Sequence, residues 1–207
     1  MDLTTIWFII IAIFWVGFFV LEGFDLGVGV LHRFVGHDDV ERRVAINSIG
    51  PFWDANEVWL IVGGAAIFAA FPGWYATMFS SLYLALVLVL VALIVRGVAF
   101  EFRGKRDSAA WRNGWSWALT ISSALIPLLL GVGLGDLLTG LPIDSDQEYA
   151  GTFWNLLTPY GLATGVVFLV LCLSIGAAFL ALKTTGAVRE RSHRLGVKLS
   201  GISLVLV

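Results

Sequence analysis

Residues 47–60 read NSIGPFWDANEVWL and lead directly into the apolar run 61–71. Pro51 favours the first turn of a helix, where its missing N–H costs nothing. On such a helix Asp54 and Glu57 lie three residues apart and therefore share one face. An ionisable side chain at mid-membrane costs roughly 2.5–3.5 kcal/mol on insertion scales. Two of them on one face indicate a proton path, an ion site or a partner interface.

The composition is that of a membrane protein. Of the 207 residues, 58% are hydrophobic and 14% are charged, and the mean hydropathy is +0.89, whereas soluble domains contain about 25% charged residues. Several apolar runs reach the length of about 18 residues that predicts a transmembrane helix. The net charge of −2 argues against a nucleic-acid-binding protein. With Cys172 as the single cysteine, neither an intrachain disulfide nor a thiolate metal site is expected.

The chain is predicted to be an all-α, polytopic bundle that forms a single transmembrane domain over residues 1–207. The predicted spans are 4–31, 51–71, 74–100, 114–138, 159–182 and an incomplete sixth at 195–207. The sixth run is too short to cross about 30 Å of hydrocarbon. Because the sequence stops inside this run, we expect the chain to be a piece of a longer protein.

Basic residues alternate between the predicted connections. The connections after the first, third and fifth spans, with the last group counted through Lys198, carry all of the 13 Lys and Arg residues except Arg96. The connections after the second and fourth spans carry none, and the latter holds Asp144, Asp146 and Glu148. The positive-inside rule therefore places the N-terminus outside the cell and the basic connections in the cytoplasm.

A second acidic pair lies in the first span. Glu22 and Asp25 share a face, and at 1.5 Å per residue they lie about 16 Å and about 12 Å inward of Arg33. Asp54 and Glu57 enter the second span from the same side, so four carboxylates are expected in the cytoplasmic half of two adjacent helices. Such a cluster suits a proton relay, and equally a proton or sodium site in a transporter. Solvated, interfacial positions are the structural alternative.

Arg96 is the one basic residue well inside a predicted span. Its side chain either extends to the interface, about 10 Å away, or pairs with Asp25, Asp54 or Glu57. Pairing would set the register of the bundle.

Asp136, near the outer end of the fourth span, is predicted to be interfacial.

The histidines are unsuited to holding a cofactor within the membrane. His32, His37 and His193 fall in or beside the basic connections, whereas a haem between transmembrane helices needs an axial ligand at depth. Met78 is predicted to be a packing residue. No catalytic, cofactor-binding or metal-binding residue is therefore expected in this chain.

Taken together, seven segments resemble subunit II of the cytochrome bd-type quinol oxidases. The similarity runs in order through essentially the whole chain. The matching segments are GFDLGVG at 23–29, ERR at 41–43, INSI at 46–49, WDANEVWL at 53–60, RGVAFEFR at 96–103, WRN at 111–113 and NLLTPYGL at 155–162.

The resemblance implies a heterodimer in the bacterial plasma membrane, formed with a haem-bearing subunit I. That partner would hold haem b and haem d and would oxidise ubiquinol or menaquinol to reduce oxygen to water. The resemblance also implies about nine spans in two four-helix bundles plus a peripheral helix, with this chain supplying the first bundle and the start of the second. Membrane lipid and small accessory subunits are further partners that it suggests.

The resemblance also implies roles for individual residues. The acids matching Asp25 and Asp54 belong to a cytoplasmic proton path that leads toward the oxygen-reducing haem. Beside these two proton carriers, we assign Glu57 and Glu22 as supporting carboxylates and Arg96 as an electrostatic partner.

Two further positions bear on the comparison with the family. The tryptophan matching Trp59 lies close to a proposed oxygen route in some members. Some members have an acid where this chain has Ser116, so any role of that acid does not carry over.

The carboxylates are also compatible with two functions other than that of an oxidase subunit. One is a proton- or sodium-coupled secondary transporter, and the other is a purely structural subunit whose carboxylates hold the bundle in register.

Overall fold

The computed structural model describes residues 2–206. Over this range the chain forms eight α-helices, one 3₁₀ turn at Phe153–Leu156 and no β-strand. The helices are α1 Leu3–Val35, α2 Asp39–Ile49, α3 Trp53–Ala70, α4 Pro72–Ser81, α5 Tyr83–Phe102, α6 Ala109–Thr139, α7 Pro159–Lys183 and α8 Gly186–Leu206. The prediction of an all-α membrane bundle is confirmed.

Four of these helices are long and apolar enough to cross a membrane, namely α1, α5, α6 and α7. The second predicted span, 51–71, corresponds to α3, which is 18 residues long and is not one of the four. The polar side chains of Asp54, Asn56 and Glu57 lie within its first two turns. In α3 the cost of placing polar groups in the membrane is therefore concentrated at one end.

Helix α1 is the centre of the bundle. It packs against α3, α6 and α7 and also contacts α2 and α8, while α5 packs mainly on α6 and α8 mainly on α7. One apolar core lies around Leu31 and Leu180, where α1, α2, α7 and α8 meet. Another lies around Ile11 and Ile67 near the opposite end of the bundle. Every other helix is therefore positioned, directly or through one neighbour, by α1.

The backbones of α1 and α7 touch at a pair of glycines. A Cβ atom on Gly27 would overlap the carbonyl of Cys172, and a Cβ atom on Gly176 would lie 2.6 Å from the Cα of Gly27. Small residues let transmembrane helices approach closely enough for extensive van der Waals packing. Gly23, one turn earlier on α1, is different, because an added Cβ would meet its nearest atom only at 3.8 Å.

The segment predicted as the first basic connection contains a helix of its own, α2. Its N-terminus is capped by Asp38, whose side chain accepts a 2.8 Å hydrogen bond from the Glu41 N–H. Ala45 and Ile49 on one face of α2 are fully buried against the bundle. The sequence pattern had not indicated this helix, because only three of its residues are buried.

The prediction that Pro51 lies in the first turn of a helix is wrong. Helix α2 continues to Ile49, and Pro51 then lies in a turn closed by a 2.9 Å hydrogen bond from the Phe52 N–H to the Ile49 carbonyl. Helix α3 begins at Trp53. The proline still supplies a rigid φ angle, but it does so in the turn that sets the angle between α2 and α3.

The span predicted over 74–100 is divided at Leu82 into α4 and α5. Just before the division, the Ser81 hydroxyl donates a 2.6 Å hydrogen bond to the Thr77 carbonyl, and such back-bonding hydroxyls disturb a helix. A 2.9 Å backbone hydrogen bond from Leu86 to Leu82 carries the chain across the junction. The division is thus a local irregularity.

Helix α8 begins nine residues before the predicted sixth span, so the predicted start of that span is wrong. The last residue of the span, Val207, lies outside the described residues. Basic residues expected in a connection therefore lie on a helix. One of them, Arg191, forms a bidentate ion pair of 2.8 and 2.9 Å with Glu41 and also donates to the Val35 carbonyl. This pair anchors α8 to the junction of α1 and α2.

The three basic connections meet at one end of the bundle, which we call the basic end. Three contacts join them there. Arg33 Nη1 donates a 2.8 Å hydrogen bond to Asn113 Oδ1. Arg103 forms an ion pair with Asp39, and Arg191 forms one with Glu41. At the opposite, acidic end, the loop with Asp144, Asp146 and Glu148 contacts α4 through a 3.1 Å hydrogen bond from Thr77 to the Gln147 carbonyl. The charge alternation seen in the sequence is thus a separation of charge between the two ends of the bundle.

We expect Gly27→Ala to destabilise the protein by about 1–3 kcal/mol, the usual cost of overpacking, because the new methyl group meets the α7 backbone. The matched control is Gly23→Ala, where the added methyl group has space. Thermal unfolding in mild detergent measures both. Equal midpoints for the two variants would contradict the close approach of α1 and α7.

The docking of α8 should depend on pH through Glu41. Hydrogen bonds from Arg191, with the backbone N–H of His37, lower the pKa of Glu41 from 4.5 to about 2. Because the folded state favours the carboxylate form, the stabilisation by this pair is full above pH 4.5 and is lost as the pH falls toward about 2. The difference in unfolding midpoint between the wild type and Glu41→Gln should therefore shrink over that interval. A constant difference would exclude this role of the pair.

Candidate functional site

Arg96 lies at the centre of a buried polar cluster formed by α1, α3 and α5. Its Nη1 atom is 2.8 Å from Glu22 Oε1 and forms a short ion pair with Glu57 Oε1. The side chains of Arg96 and Glu22 are fully buried, and that of Glu57 is 20% exposed. One guanidinium nitrogen thus contacts carboxylates from two different helices.

Asp25 joins this cluster through an amide. Asn56 Nδ2 donates a 2.6 Å hydrogen bond to Asp25 Oδ2 and lies 3.5 Å from the Leu21 carbonyl. Asp25 is fully buried. Asn56 and Glu57 are consecutive on α3, so the start of that helix presents an amide to Asp25 on α1 and a carboxylate to Arg96 on α5.

The charges in the cluster do not balance. It contains the carboxylates of Glu22, Asp25 and Glu57 and one guanidinium. Removing an uncompensated charge from water costs several kcal/mol. The arrangement is therefore suited to gaining and losing protons, because protonation removes the excess negative charge without moving any helix.

The predicted site residues are brought together only in part. Of the two alternatives for Arg96, pairing is the one observed, with Glu57 as predicted and with Glu22, which had not been named as its partner. Asp54 lies in the first turn of α3 and is exposed. Within residues 2–206 it takes part in no hydrogen bond or ion pair through its side chain. It lies one turn before Glu57, outside the buried interior of the cluster.

Trp59 contributes to the contact between α1 and α3. Its ring lies over Gly17, where a Cβ atom would come within 2.5 Å of Trp59 Cε3. Its centroid is 5.9 Å from that of Phe14 in an edge-on arrangement. Gly17 therefore provides the space that this large side chain occupies.

Asp136 lies near the acidic end, far along α6 from the cluster, and was predicted to be interfacial. It is only 2% exposed, because α7 covers it, and it accepts a 3.1 Å hydrogen bond from the Thr158 hydroxyl. Thr158 is the N-cap of α7. A carboxylate at this position is favourable for the dipole of α7.

Comparison with known proteins identifies the family. The family model described as "Cytochrome bd terminal oxidase subunit II" matches residues 3–207. The chain belongs to this family. It is 48% identical over 206 residues to cytochrome bd ubiquinol oxidase subunit 2 of Bacillus subtilis strain 168, and 43% identical over 204 residues to cytochrome bd-I ubiquinol oxidase subunit 2 of Escherichia coli K12.

These alignments cover 100% and 97% of this chain but 61% and 54% of the two relatives. The chain thus spans little more than half the length of the curated relatives it matches. The fold is similar to that in "The structure of bd oxidase from Geobacillus thermodenitrificans", with a TM-score of 0.76, 21% identity, and coverage of 100% of this chain and 65% of that chain. The resemblance noted in the sequence is confirmed, and the transporter alternative is not favoured.

The sequence did not indicate Asn56 as a member of the polar cluster. The available signal was an amide directly before Glu57 in a segment entering the membrane. Its partner, Asp25, is 31 positions away. Spacing within one helix identifies a shared face, but which residue of another helix meets that face depends on how the helices rotate against each other.

Few side chains of this chain could ligate a haem. Of its histidines, His32 is fully buried, with Nδ1 held 2.7 Å from the Gly29 carbonyl, whereas His37 and His193 are exposed. Met78 packs in the apolar core near Ile67. Across the described part of the chain, no group of three or more His, Cys, Asp or Glu residues is arranged to hold a metal ion.

We expect Arg96→Gln to destabilise the protein by about 3–5 kcal/mol, because removing one partner of a buried ion pair leaves the other charge uncompensated. Arg43→Gln, at an exposed position on α2, is the matched control and should be close to neutral. Adding Glu22→Gln to Arg96→Gln should restore part of the loss. Thermal unfolding in mild detergent checks all three, and equal midpoints for Arg96→Gln and Arg43→Gln would refute the account.

Proposed function

We propose that this chain is subunit II of a bacterial bd-type quinol:oxygen oxidoreductase, partnering a haem-bearing subunit I and conveying cytoplasmic protons toward the oxygen-reducing site. The family match supports the assignment to the oxidase. The observation that carries the proton-conducting role is the buried cluster of Glu22, Asp25, Glu57 and Arg96.

The direction of proton entry follows from the charge separation between the two ends. Lys and Arg residues concentrate at the basic end, which the positive-inside rule assigns to the cytoplasm. The N-terminus of α1 would then lie outside, in a multi-pass arrangement in the plasma membrane. Asp54 is exposed in the first turn of α3, near the basic end, so it would meet cytoplasmic water first.

The route then leads from Asp54 to Glu57 and on to the pair Asp25 and Glu22. Glu57 is partly exposed and contacts Arg96, which also contacts the buried Glu22. The single cation keeps part of the cluster ionised, while the excess carboxylates accept protons. Carboxylates in contact with a fixed guanidinium can therefore pass a proton inward without a large movement.

The redox chemistry is assigned to the partner. Haem b and haem d in subunit I would take electrons from ubiquinol or menaquinol and reduce oxygen to water, a reaction that consumes protons as well as electrons. Subunit II contributes no ligand in this proposal. Its role is to stabilise subunit I and to deliver protons, and Trp59 would lie beside a route for oxygen.

Aspartate-to-asparagine variants test this proposal in the purified oxidase complex. Asp25→Asn and Asp54→Asn preserve size but remove the proton-carrying group, so quinol-dependent oxygen consumption should fall by at least about twofold, as expected when a proton-transfer group is lost. Asp136→Asn, a buried acid at the acidic end, is the matched control and should retain the wild-type rate. The reduced-minus-oxidised haem spectrum and co-purification of subunit I report assembly.

Three outcomes separate the alternatives. Slow turnover with an unchanged haem spectrum supports proton conduction. Full activity in both variants, or loss of assembly in both, would favour a purely structural subunit. Purified membranes without haem but with ion-driven solute uptake would indicate the transporter instead.

A further inference from the structure

Buried polar atoms without a hydrogen-bond partner are concentrated where α1 meets α5 and α6. Among residues 2–206, eight residues carry such a side-chain atom. Seven of them lie on these three helices, and all of the seven except Asp136 lie away from the acidic end. The other six are Glu22, Asp25 and His32 on α1, Arg96 on α5, and Thr120 and Ser123 on α6. Because buried polar groups are nearly always bonded to protein or to water, this concentration points to a ligand.

Four positions of α1 form one continuous face toward this region. Glu22, Asp25, Gly29 and His32 follow one another at intervals of three, four and three residues, which places them in line on a helix. All four are buried. The hydroxyl of Ser123 occupies the space that a side chain at Gly29 would fill, and a Cβ atom there would lie 2.7 Å from Ser123 Cβ. We call the contact of this face with α6 the α1–α6 seam.

The facing side of α6 carries hydroxyl groups at helical spacing. Ser116, Thr120 and Ser123 lie on one face and are 0%, 6% and 0% exposed. A buried helical serine or threonine usually donates to a carbonyl one turn earlier, and Ser122 does so, at 2.8 Å from the Ala118 carbonyl. Thr120 and Ser123 make no such bond. Their hydroxyls are therefore free to bind another partner.

Pro127 adds a second unsatisfied group at Ser123. It lies inside α6 and has no N–H, so the Ser123 carbonyl lacks its usual helical donor. Transmembrane helices bend at such prolines, and ordered water can satisfy the freed backbone group. The hydrogen-bond pattern of α6 is therefore interrupted at the level of Ser123.

His32 presents a lone pair in the same region. Its Nδ1 atom is 2.7 Å from the Gly29 carbonyl. A carbonyl oxygen can only accept, so in the neutral ring Nδ1 carries the hydrogen and Nε2 is the acceptor. Nε2 is buried and no described residue donates to it. A water molecule is the small donor that suits it.

We propose that the α1–α6 seam admits a file of internal water molecules that forms a second proton inlet, leading from the basic end to Asp25. The inlet begins beside Ser116, whose hydroxyl accepts a 2.8 Å hydrogen bond from Arg103. Arg103 also forms an ion pair with the partly exposed Asp39. It continues past Thr120, Ser123 and His32. The seam atoms are screened from solvent in the packing described here, so water enters as α6 bends at Pro127.

The inlet rests on the proposed proton-conducting function and deepens it. Each water accepts a proton on one side and releases one on the other, so a proton arrives at Asp25 while the file keeps its composition. The route through Asp54 and Glu57 lies on α3 instead. Two inlets, one along α3 and one along α6, would thus converge on the same carboxylates.

Small substitutions on α6 test the inlet in the intact oxidase complex. Thr120→Val and Ser123→Ala remove the free hydroxyls with little change in volume, and Ser122→Ala removes a buried hydroxyl that is already bonded within its helix. We expect the first two variants to slow quinol-dependent oxygen consumption by roughly threefold to tenfold, the effect of losing about one hydrogen bond. Ser122→Ala should match the wild type. The haem spectrum should be unchanged in all three.

The hydrogen isotope effect distinguishes proton transfer from a packing defect. If the seam carries protons, the ratio of rates in H₂O and D₂O rises in Thr120→Val and Ser123→Ala. An unchanged ratio, or wild-type rates in both while Asp25→Asn is slow, would overturn the inlet and leave the proposed function intact. Wild-type rates in Thr120→Val, Ser123→Ala and Asp25→Asn would overturn both the inlet and the proposed function.

A density map of the intact complex that resolves ordered water provides the direct observation. Water within hydrogen-bonding distance of Ser123 Oγ and His32 Nε2 supports the inlet. A seam in which both atoms are bonded to protein groups of either subunit would overturn it.

Discussion

The ion pairs of one buried guanidinium constrain how the helices of this structure pack. Arg96 contacts Glu22 on α1 and Glu57 on α3, and it is fully buried on α5. None of these side chains could stay charged in a membrane alone, because each would lose its hydration without compensation. The three helices must therefore keep the rotation that holds the charges together. The same constraint leaves acid in excess of base in the cluster, and this excess is the basis of the proposed proton-conducting role.

Helix α1 satisfies four different neighbours because its chemistry differs both around and along the helix. Gly27 lies against the backbone of α7, Glu22 and Asp25 meet the polar groups of α3 and α5, and Gly29 receives Ser123 from α6. Each step of about 100° around a helix turns a new face outward. A single helix can therefore combine close van der Waals packing with a polar interior. This arrangement places the carboxylates beside both proposed entries for protons.

Charge at the ends of the bundle links distant parts of the chain. Arg191 and Glu41 are 150 positions apart and form a bidentate pair, while Arg103, Asp39 and Ser116 tie α2, α5 and α6 together. Such contacts are worth more where several share one network than as isolated surface pairs. They hold the connections of the basic end in place around the start of α3, where Asp54 would take up protons.

The sequence by itself determined the membrane class, the apolar helices, the alternation of charge and the family. It also identified the two acidic pairs and Arg96, because hydropathy and spacing act within one helix. Tertiary structure decided that Arg96 meets Glu22 as well as Glu57, that Asn56 holds Asp25 and that Asp54 stays exposed. It also decided that α2 and α8 are helical where connections were expected. These outcomes depend on rotation and distance between helices, which spacing along a single helix does not encode.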